Sequence, residues 1–149
     1  MTRRLDIYIA GTPVGKGRPR FVRATGRTYT PEKTASFENL LRLEAQRVMR
    51  LNGAGLLDGP LDVSICAYFP VPKSYSKRRQ AACLGGDERP TKKPDPDNIL
   101  KMIDALNGVV WHDDAQVVTA TIRKFYAREP GLLLRISEAA REPLLELMT

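Results

Sequence analysis

The sequence predicts an α+β fold, in which helices pack on a small mixed β-sheet within a single domain spanning residues 1–149. Three observations lead to this class. The chain has 149 residues, enough to bury one hydrophobic core. Its alternating apolar runs and helical repeats follow one another in the order β-α-β-α-β-β. It holds no internal repeat and no apolar run near 18 residues, so we expect neither a solenoid nor a membrane span.

The first elements are a strand, a long loop and a helix. Residues 5–10 alternate apolar and polar side chains and end at a glycine, which is typical of a strand. Residues 11–31 are rich in Gly, Pro and Arg and predict a loop with a hairpin turn at 24–27. A helix is expected from Pro31 to about Leu51. Its apolar side chains recur at helical spacing at Phe37, Leu40, Leu41, Ala45 and Val48.

The middle of the chain combines an apolar strand with a basic stretch. Residues 61–70 predict a second strand, with Cys66 as a small core residue. Residues 71–94 predict a mobile basic segment, with a helical turn around 76–83. The apolar face of the strand carries Leu61, Val63, Ile65, Ala67 and Phe69.

The remaining elements lie after residue 94. Asp95 is expected to cap a helix that runs to Asn107 and Gly108. A turn follows, in which Trp111 is expected to anchor the core and His112 to be exposed. Strands are predicted over 116–126 and 132–137, and the tail at 138–149 is expected to hold a helix over 138–147.

Charge is distributed unevenly along the chain. Residues 1–93 hold 18 lysines and arginines against 8 acidic residues, whereas residues 94–149 hold 6 against 9. A basic half is suited to a polyanion, and an acidic cluster to a divalent cation that lets phosphate approach carboxylates. Two cysteines and one histidine exclude a disulfide framework, a Cys/His zinc site and any mechanism that needs two histidines. Without a signal-like apolar segment, we expect a reduced, cytoplasmic protein.

The acidic cluster is the main candidate for a catalytic site. Asp97, Lys101 and Asp104 lie at i, i+4 and i+7 of the predicted helix, on its polar face. Asp113 and Asp114 follow on the turn that can return alongside the helix start. Taken singly, each is an ordinary cap, surface or turn residue. Together, converging carboxylates are the oxygen ligands that Mg²⁺ prefers, and Lys101 could neutralise charge that develops on a phosphate.

Two basic segments are candidates for DNA contacts. Gly15-Lys16-Gly17 does not match the spacing of a phosphate-binding P-loop. The loop around it is better interpreted as a basic loop with interleaved aromatic residues, Phe21 and Tyr29, that contacts phosphates. The candidate residues are Lys16, Arg18, Arg20, Arg23 and Arg27 in this loop, and Lys73, Lys77, Arg78, Arg79, Lys92 and Lys93 in the later segment. The alternative is that the charged side chains of either segment face solvent and contact no DNA.

The stretch from Lys93 to Val117 resembles the signature of the RusA family of Holliday junction resolvases. It has an Asp-x-Asp-Asn start at Asp95, a lysine four residues after the second aspartate, an Asp-Ala-Leu segment, and Trp-x-Asp-Asp-x-Gln-Val. The segments 11–21 and 29–31 resemble the phage and prophage branch. Pro96 lies between the aspartates where several relatives carry another residue, and it is expected to stiffen the site.

The resemblance implies a homodimeric, Mg²⁺-dependent endonuclease of the bacterial or prophage cytoplasm that nicks two opposed strands of a four-way DNA junction. Mn²⁺ could substitute for Mg²⁺, and neither an organic cofactor nor a membrane is implied. The metal-binding and catalytic aspartates of the family fall on Asp95, Asp97 and Asp114, and its essential lysine on Lys101. Asp113 is adjacent to Asp114 and could share its role as a metal ligand.

Two other functions remain open from the sequence. One is a non-catalytic, structure-specific DNA-binding protein that keeps the acidic cluster as a feature of the fold. The other is a Mg²⁺-dependent hydrolase of small phosphoesters, which would have little use for the strongly basic half. Metal-dependent cleavage separates the first from a nuclease, and steep salt dependence of DNA binding argues against the second.

Overall fold

The computed structural model describes residues 4–17, 20–29, 32–53 and 55–144. Four strands form a mixed sheet at the centre of the fold: β1 (Arg4–Ala10), β4 (Leu61–Pro70), β5 (Val117–Ala127) and β6 (Gly131–Glu138). Their order in the sheet is β1-β6-β4-β5. Strands β4 and β5 are parallel, whereas β6 is antiparallel to both β1 and β4. The predicted α+β class with a mixed sheet is confirmed.

A second, small sheet is formed by the basic loop after β1. Strands β2 (Arg20–Val22) and β3 (Arg27–Tyr29) pair antiparallel. The turn between them contains Gly26 at a φ of 66°, a left-handed conformation that glycine adopts without a Cβ penalty. The predicted hairpin turn is therefore confirmed.

One long helix, α1 (Glu32–Asn52), covers one face of the sheet. Phe37, Leu41, Ala45 and Val48 are buried against the core as the spacing predicts, but Leu40 is 53% exposed. Leu40 shares the helical spacing but lies on the outer side of α1, because positions i+3 and i+4 from Phe37 lie on slightly different faces and only Leu41 is buried. The predicted start of the helix at Pro31 lies outside the described residues.

The basic stretch after β4 is folded onto the sheet. It forms the helix α2 (Lys77–Leu84), in which the Ser76 side chain accepts a hydrogen bond from Arg79 N and Cys83 is buried. The helix contacts β5. The helical turn predicted around 76–83 is confirmed as a helix of two turns.

The helix predicted from Asp95 to Asn107 is not continuous. The structure has a short helix α3 (Pro96–Leu100) and then a tighter 3₁₀ helix (Lys101–Leu106). The tightening brings Met102, Ile103 and Leu106 into the core. Tertiary packing therefore overrides the 3.6-residue spacing expected from the sequence.

Two further expectations are corrected. Strand β6 ends at Glu138, and residues 139–144 form neither helix nor strand, so the tail helix is wrong over that stretch; 145–149 lie outside the described residues. Cys66 is half-buried and not a core residue. Side chains alternate along β4, so Cys66 faces away from Ile65 and Ala67. That face of the sheet is called the open sheet face below.

Trp111 is fully buried, as expected of a core anchor. Within the described part of the chain, no helix is both long and apolar enough to cross a membrane.

Candidate active site

The first part of the acidic site is the start of α3. Asp95 caps the helix, because its Oδ1 accepts a hydrogen bond from Asn98 N at 2.9 Å, and Pro96 follows at the first helical position. Asp97 forms an ion pair with Lys101 one turn later, with 3.0 Å between Oδ2 and Nζ. Both side chains are mainly exposed, at 69% for Asp97 and 54% for Lys101. We call Asp95 and Asp97 the α3 carboxylates.

The second part is formed by Asp104 and Asp114, which we call the paired carboxylates. Asp104 lies in the 3₁₀ helix, and Asp114 begins a single turn that enters β5. Their side chains are within hydrogen-bonding contact. Burial and this contact raise the pKa of Asp104, whereas side-chain hydrogen bonding with Asp104, and then with Asp113, lowers the pKa of Asp114.

Asp114 is also supported from the core. The side chain of Asn107 lies near its carboxylate and contributes to lowering the pKa of Asp114. The amide oxygen of Asn107 in turn accepts a hydrogen bond from Trp111 Nε1 at 2.6 Å. Because Trp111 is fully buried, it gives Asn107 a fixed position beside Asp114.

The turn that carries Asp113 and Asp114 is held by Gln116. Its Oε1 accepts hydrogen bonds from His112 N at 2.9 Å and Asp113 N at 3.1 Å. Its Nε2 donates to Leu57 O at 3.0 Å and to Gly59 O at 3.1 Å. One side chain thus ties the acidic turn to the chain that leads into β4. Gln116 and Asn107 have structural roles that the sequence analysis missed, although both lie within the motif quoted there.

A cleft opens beside the paired carboxylates. It has a volume of about 260 Å³ and is lined by both apolar and charged side chains. Its lining consists of Leu100, Lys101, Ile103, Asp104, Asp114, Val117 and Ala120. Lys101 and Asp114 therefore border one space, although they come from different elements.

The predicted metal ligands are only partly brought together. Asp113 and Asp114 are adjacent, Asp104 contacts Asp114, and the α3 carboxylates are held in their own local contacts. Across 4–17, 20–29, 32–53 and 55–144, no three Asp, Glu, His or Cys side chains are grouped closely enough to hold a metal ion. The donor chemistry of the paired carboxylates nevertheless fits Mg²⁺. That ion is usually held by one or two carboxylates, with water and substrate phosphate supplying the other ligands.

The predicted DNA-binding residues of the first basic loop differ in position. Arg23 and Arg27 are exposed in the hairpin, beside Phe21, which is 62% exposed. Lys16 instead approaches two carboxylates, Asp104 and Glu38. Arg18 lies outside the described residues, and of Arg20 only its place in β2 is described.

In the second basic segment, Arg79 has internal partners. Arg79 forms an ion pair with Glu88 at 2.8 Å and stacks over the ring of Tyr75 at 3.5 Å. Lys92 accepts a hydrogen bond on its carbonyl from Lys124 Nζ at 2.6 Å. All six predicted DNA-binding residues of this segment are exposed, namely Lys73, Lys77, Arg78, Arg79, Lys92 and Lys93.

His112 is exposed, as predicted, and its Nε2 lies 2.8 Å from Asp58 Oδ1. The side chain therefore has a carboxylate partner on the loop before β4. Its position next to the acidic turn does not place it in the cleft described above.

Comparison with known proteins agrees with the site. The model of the family described as "Endodeoxyribonuclease RusA" matches residues 10–137, which include both the paired and the α3 carboxylates. The chain is also 35% identical over 141 residues to the uncharacterized protein YqaN of Bacillus subtilis (strain 168). That alignment covers 91% of this chain and 97% of YqaN. The chain therefore belongs to the RusA family of endodeoxyribonucleases, hydrolytic enzymes that resolve Holliday junctions.

Proposed function

We propose that this protein is a Mg²⁺-dependent endonuclease that resolves four-way DNA junctions by paired, symmetric phosphodiester hydrolysis. The observation that carries this proposal is the contact of Asp114 with Asp104 beside a cleft that Lys101 also borders. Carboxylate oxygens and a lysine beside one space suit a site for a divalent cation and a phosphate.

The metal ligands in this proposal are Asp95, Asp97 and Asp114, with Asp113 available beside Asp114. When bound, Mg²⁺ or Mn²⁺ would activate water and stabilise the leaving 3′-oxygen. Asp114 already carries the negative charge that a cation requires, because its hydrogen bonds lower its pKa. Asp97 is 69% exposed, so its carboxylate is accessible to a ligand from solvent.

We assign to Lys101 the role of contacting the DNA phosphate that is hydrolysed. Its ammonium group is held 3.0 Å from Asp97 Oδ2, with half of the side chain exposed. An exposed ion pair of this kind contributes only about 0–1 kcal/mol to stability, so exchanging Asp97 for a phosphate oxygen costs little. In that position Lys101 would stabilise charge developing in the transition state.

The DNA backbone is assigned to the exposed basic side chains. Arg23 and Arg27 on the hairpin can contact phosphates, and the exposed Phe21 of the same hairpin can stack on an unpaired base. Lys73, Lys77, Arg78, Lys92 and Lys93 form the second set. Arg18, Arg20 and Arg79 remain in the proposed set, although Arg79 would have to keep or exchange its contact with Glu88.

We also propose a homodimer, because two symmetric cuts require two sites related by a twofold axis. Two surfaces offer apolar area for it in the described part of the chain. One is the outer side of α1, with Leu40 and Leu43 at 53% and 62% exposure, and the other is the open sheet face, with Tyr8 and Leu133. Sedimentation velocity of Leu43→Glu and Leu133→Glu should show which substitution yields monomers.

The test of function compares a labelled synthetic four-way junction with a linear duplex of the same sequence. Each substrate is incubated with Mg²⁺, with EDTA, and with the Asp97→Asn variant in Mg²⁺. Paired nicks in the junction alone, lost in both controls, support the proposal. Tight binding without nicks would favour a non-catalytic junction-binding protein, and indifference to all DNA a hydrolase of small phosphoesters. We expect the reaction to take place in the bacterial cytoplasm, on chromosomal or prophage DNA.

A further inference from the structure

We propose that Lys16 is a positioning residue of the active site, which holds Asp104 against Asp114, and that it does not primarily bind DNA phosphate. This inference rests on the proposed function, since it concerns the same acidic site. It reassigns a residue that the sequence places in a DNA-binding loop. The argument depends on where the backbone is fixed, which groups surround the ammonium, and what Asp104 contacts.

The backbone around Lys16 is fixed between two helices. Lys16 N donates to Asn98 O at 2.9 Å, which ties the loop to α3. Gly17 N donates to Thr34 Oγ1 at 3.1 Å, and Thr34 is a buried residue of α1. A Cβ on residue 15 would lie 2.6 Å from Pro94 Cβ, so only glycine permits this approach. The glycine before Lys16 is therefore explained by close packing against Pro94 and α3, and the Lys16 side chain reaches carboxylates of α1 and of the 3₁₀ helix.

The ammonium group of Lys16 lies between two carboxylates. Its Nζ is 3.2 Å from Asp104 Oδ2 and 3.4 Å from Glu38 Oε1. Glu38 Oε1 is buried and accepts no hydrogen bond within the described residues, so the nearby ammonium is the charge that compensates it. Only 27% of the Lys16 side chain is exposed, less than for Lys101. Lys16 thus has its partners inside the protein.

Asp104 connects Lys16 to the site. Its carboxyl group contacts Lys16 on one side and Asp114 on the other. Two carboxyl groups in contact repel each other when both are ionised, and a cation beside one of them reduces this repulsion. Lys16 therefore allows Asp104 to stay beside Asp114, which fixes the orientation of the Asp114 carboxylate for a ligand.

The test uses Lys16→Met, which removes the charge and keeps the length of the side chain, and Lys16→Arg, which keeps the charge. Lys33→Met serves as a matched control, because Lys33 is an exposed lysine on α1. Mn²⁺ affinity is measured without DNA by electron paramagnetic resonance. Junction affinity is measured in EDTA over a range of salt concentrations, and cleavage is measured in single turnover.

For Lys16→Met we expect a loss of about 10- to 100-fold in Mn²⁺ affinity and in the cleavage rate, as for other residues that orient metal ligands. The salt dependence of junction binding should equal that of the wild-type protein. Lys16→Arg should recover most of both losses, and Lys33→Met should show neither. Because Lys16→Met leaves Glu38 uncompensated, the double variant Lys16→Met/Glu38→Gln replaces it if the single variant does not fold.

A different outcome would overturn the inference. One such outcome is that Lys16→Met leaves the Mn²⁺ affinity unchanged and makes the dependence of the junction-binding constant on salt shallower, by about 0.9 in the slope of the log–log plot. Lys16 would then be a phosphate contact. The inference is also wrong if the wild-type protein cleaves junctions but binds no Mn²⁺ at millimolar concentrations in the absence of DNA. In that case the metal site would form only when DNA binds. Failure of the wild-type protein to cleave junctions at all contradicts the proposed function instead, so the two failures are distinguishable.

Discussion

The two parts of the acidic site are built differently. The paired carboxylates, Asp104 and Asp114, are brought together by tertiary structure from elements separated in the sequence, and Asn107 supports Asp114 from the core. The α3 carboxylates are each held locally, Asp95 by its own helix start and Asp97 by Lys101 four residues later. One part is thus fixed by the fold, whereas the other is exposed at the surface.

This difference suggests a division of labour. A fixed carboxylate loses little conformational freedom when a ligand binds, so the paired carboxylates are suited to holding a cation in place. An exposed carboxylate that is paired with a lysine can exchange its partner for water, cation or phosphate at low cost. The α3 carboxylates are therefore suited to joining the site together with the substrate.

The strongest test of this comparison neutralises one carboxylate in each part. We expect Asp114→Asn and Asp97→Asn each to reduce junction cleavage by about 1,000-fold or more, because several kcal/mol of transition-state stabilisation depend on the cation. Junction binding should persist or tighten, since each substitution removes negative charge that faces phosphate. Asp95→Asn should behave in the same way.

Metal affinity without DNA then separates the two parts. Asp114→Asn should lose Mn²⁺ binding, whereas Asp97→Asn should retain most of it. Asp87→Asn, on an exposed turn, is the matched control. Full cleavage by any of the three site variants would remove that residue from the ligand set, and equal metal affinities would abolish the distinction between the two parts.

Lys101→Ala tests the exposed part more closely. We expect roughly 100-fold slower single-turnover cleavage, since one positioned cationic donor is removed from the transition state. The dissociation constant of the junction should change by about twofold or less. Lys33→Ala, which replaces an exposed lysine of α1 outside the cleft and outside the proposed DNA-binding set, is the control. A defect confined to affinity would assign Lys101 to DNA binding instead.

Asn107→Ala tests whether the support of Asp114 matters. The substitution removes the amide group near Asp114 and leaves Trp111 Nε1 without its partner. We expect a loss of about 10-fold in cleavage and about 1–3 kcal/mol in the free energy of unfolding measured with urea. Asn39→Ala on the exposed side of α1 should change neither. Unchanged cleavage would show that Trp111 and Asn107 stabilise the fold alone.

The smallest effect is expected at Glu88, which lies outside both parts of the acidic site. Arg79, and then Cys83, lower the pKa of Glu88 by hydrogen bonding to its carboxylate. Because the pKa of Glu88 is lowered in the folded protein, its interactions stabilise the fold above pH 4.5, the ordinary pKa of a glutamate. This stabilisation is lost as the pH falls further. Glu88→Gln should therefore melt at a lower temperature at pH 7, and the difference should close below about pH 4.5. A difference that is constant with pH would point to packing, and cleavage should be unaffected.

Much of this architecture is accessible from the sequence, because local signals decide it. Alternating apolar and polar residues predict the strand at 61–70, and the Asp-Pro pair at 95–96 predicts the start of α3. The same alternation places Cys66 on the face opposite to Ile65, so its assignment to the core conflicts with the pattern itself.

The pairing of Asp104 with Asp114 is not accessible in the same way. An ideal helix from residue 95 to 107 places Asp104 on the face of Asp97 and Lys101. The change to a 3₁₀ helix depends on how Met102 and Leu106 pack in the core, which a local pattern does not contain. The contact of Lys16 with Asp104 spans 88 residues, so no spacing rule could reveal it.

The open sheet face also gives the protein a natural reporter. Cys66 is half-buried on this face, whereas Cys83 is buried beneath α2, where desolvation raises the pKa of its thiol. Thiolates are the reactive form, so a thiol reagent should modify Cys66 long before Cys83. A fluorophore or spin label could therefore be attached to one face of the native, unmutated chain. The rate of that modification would fall if a second subunit covered the face, and it would stay constant if the subunits met elsewhere.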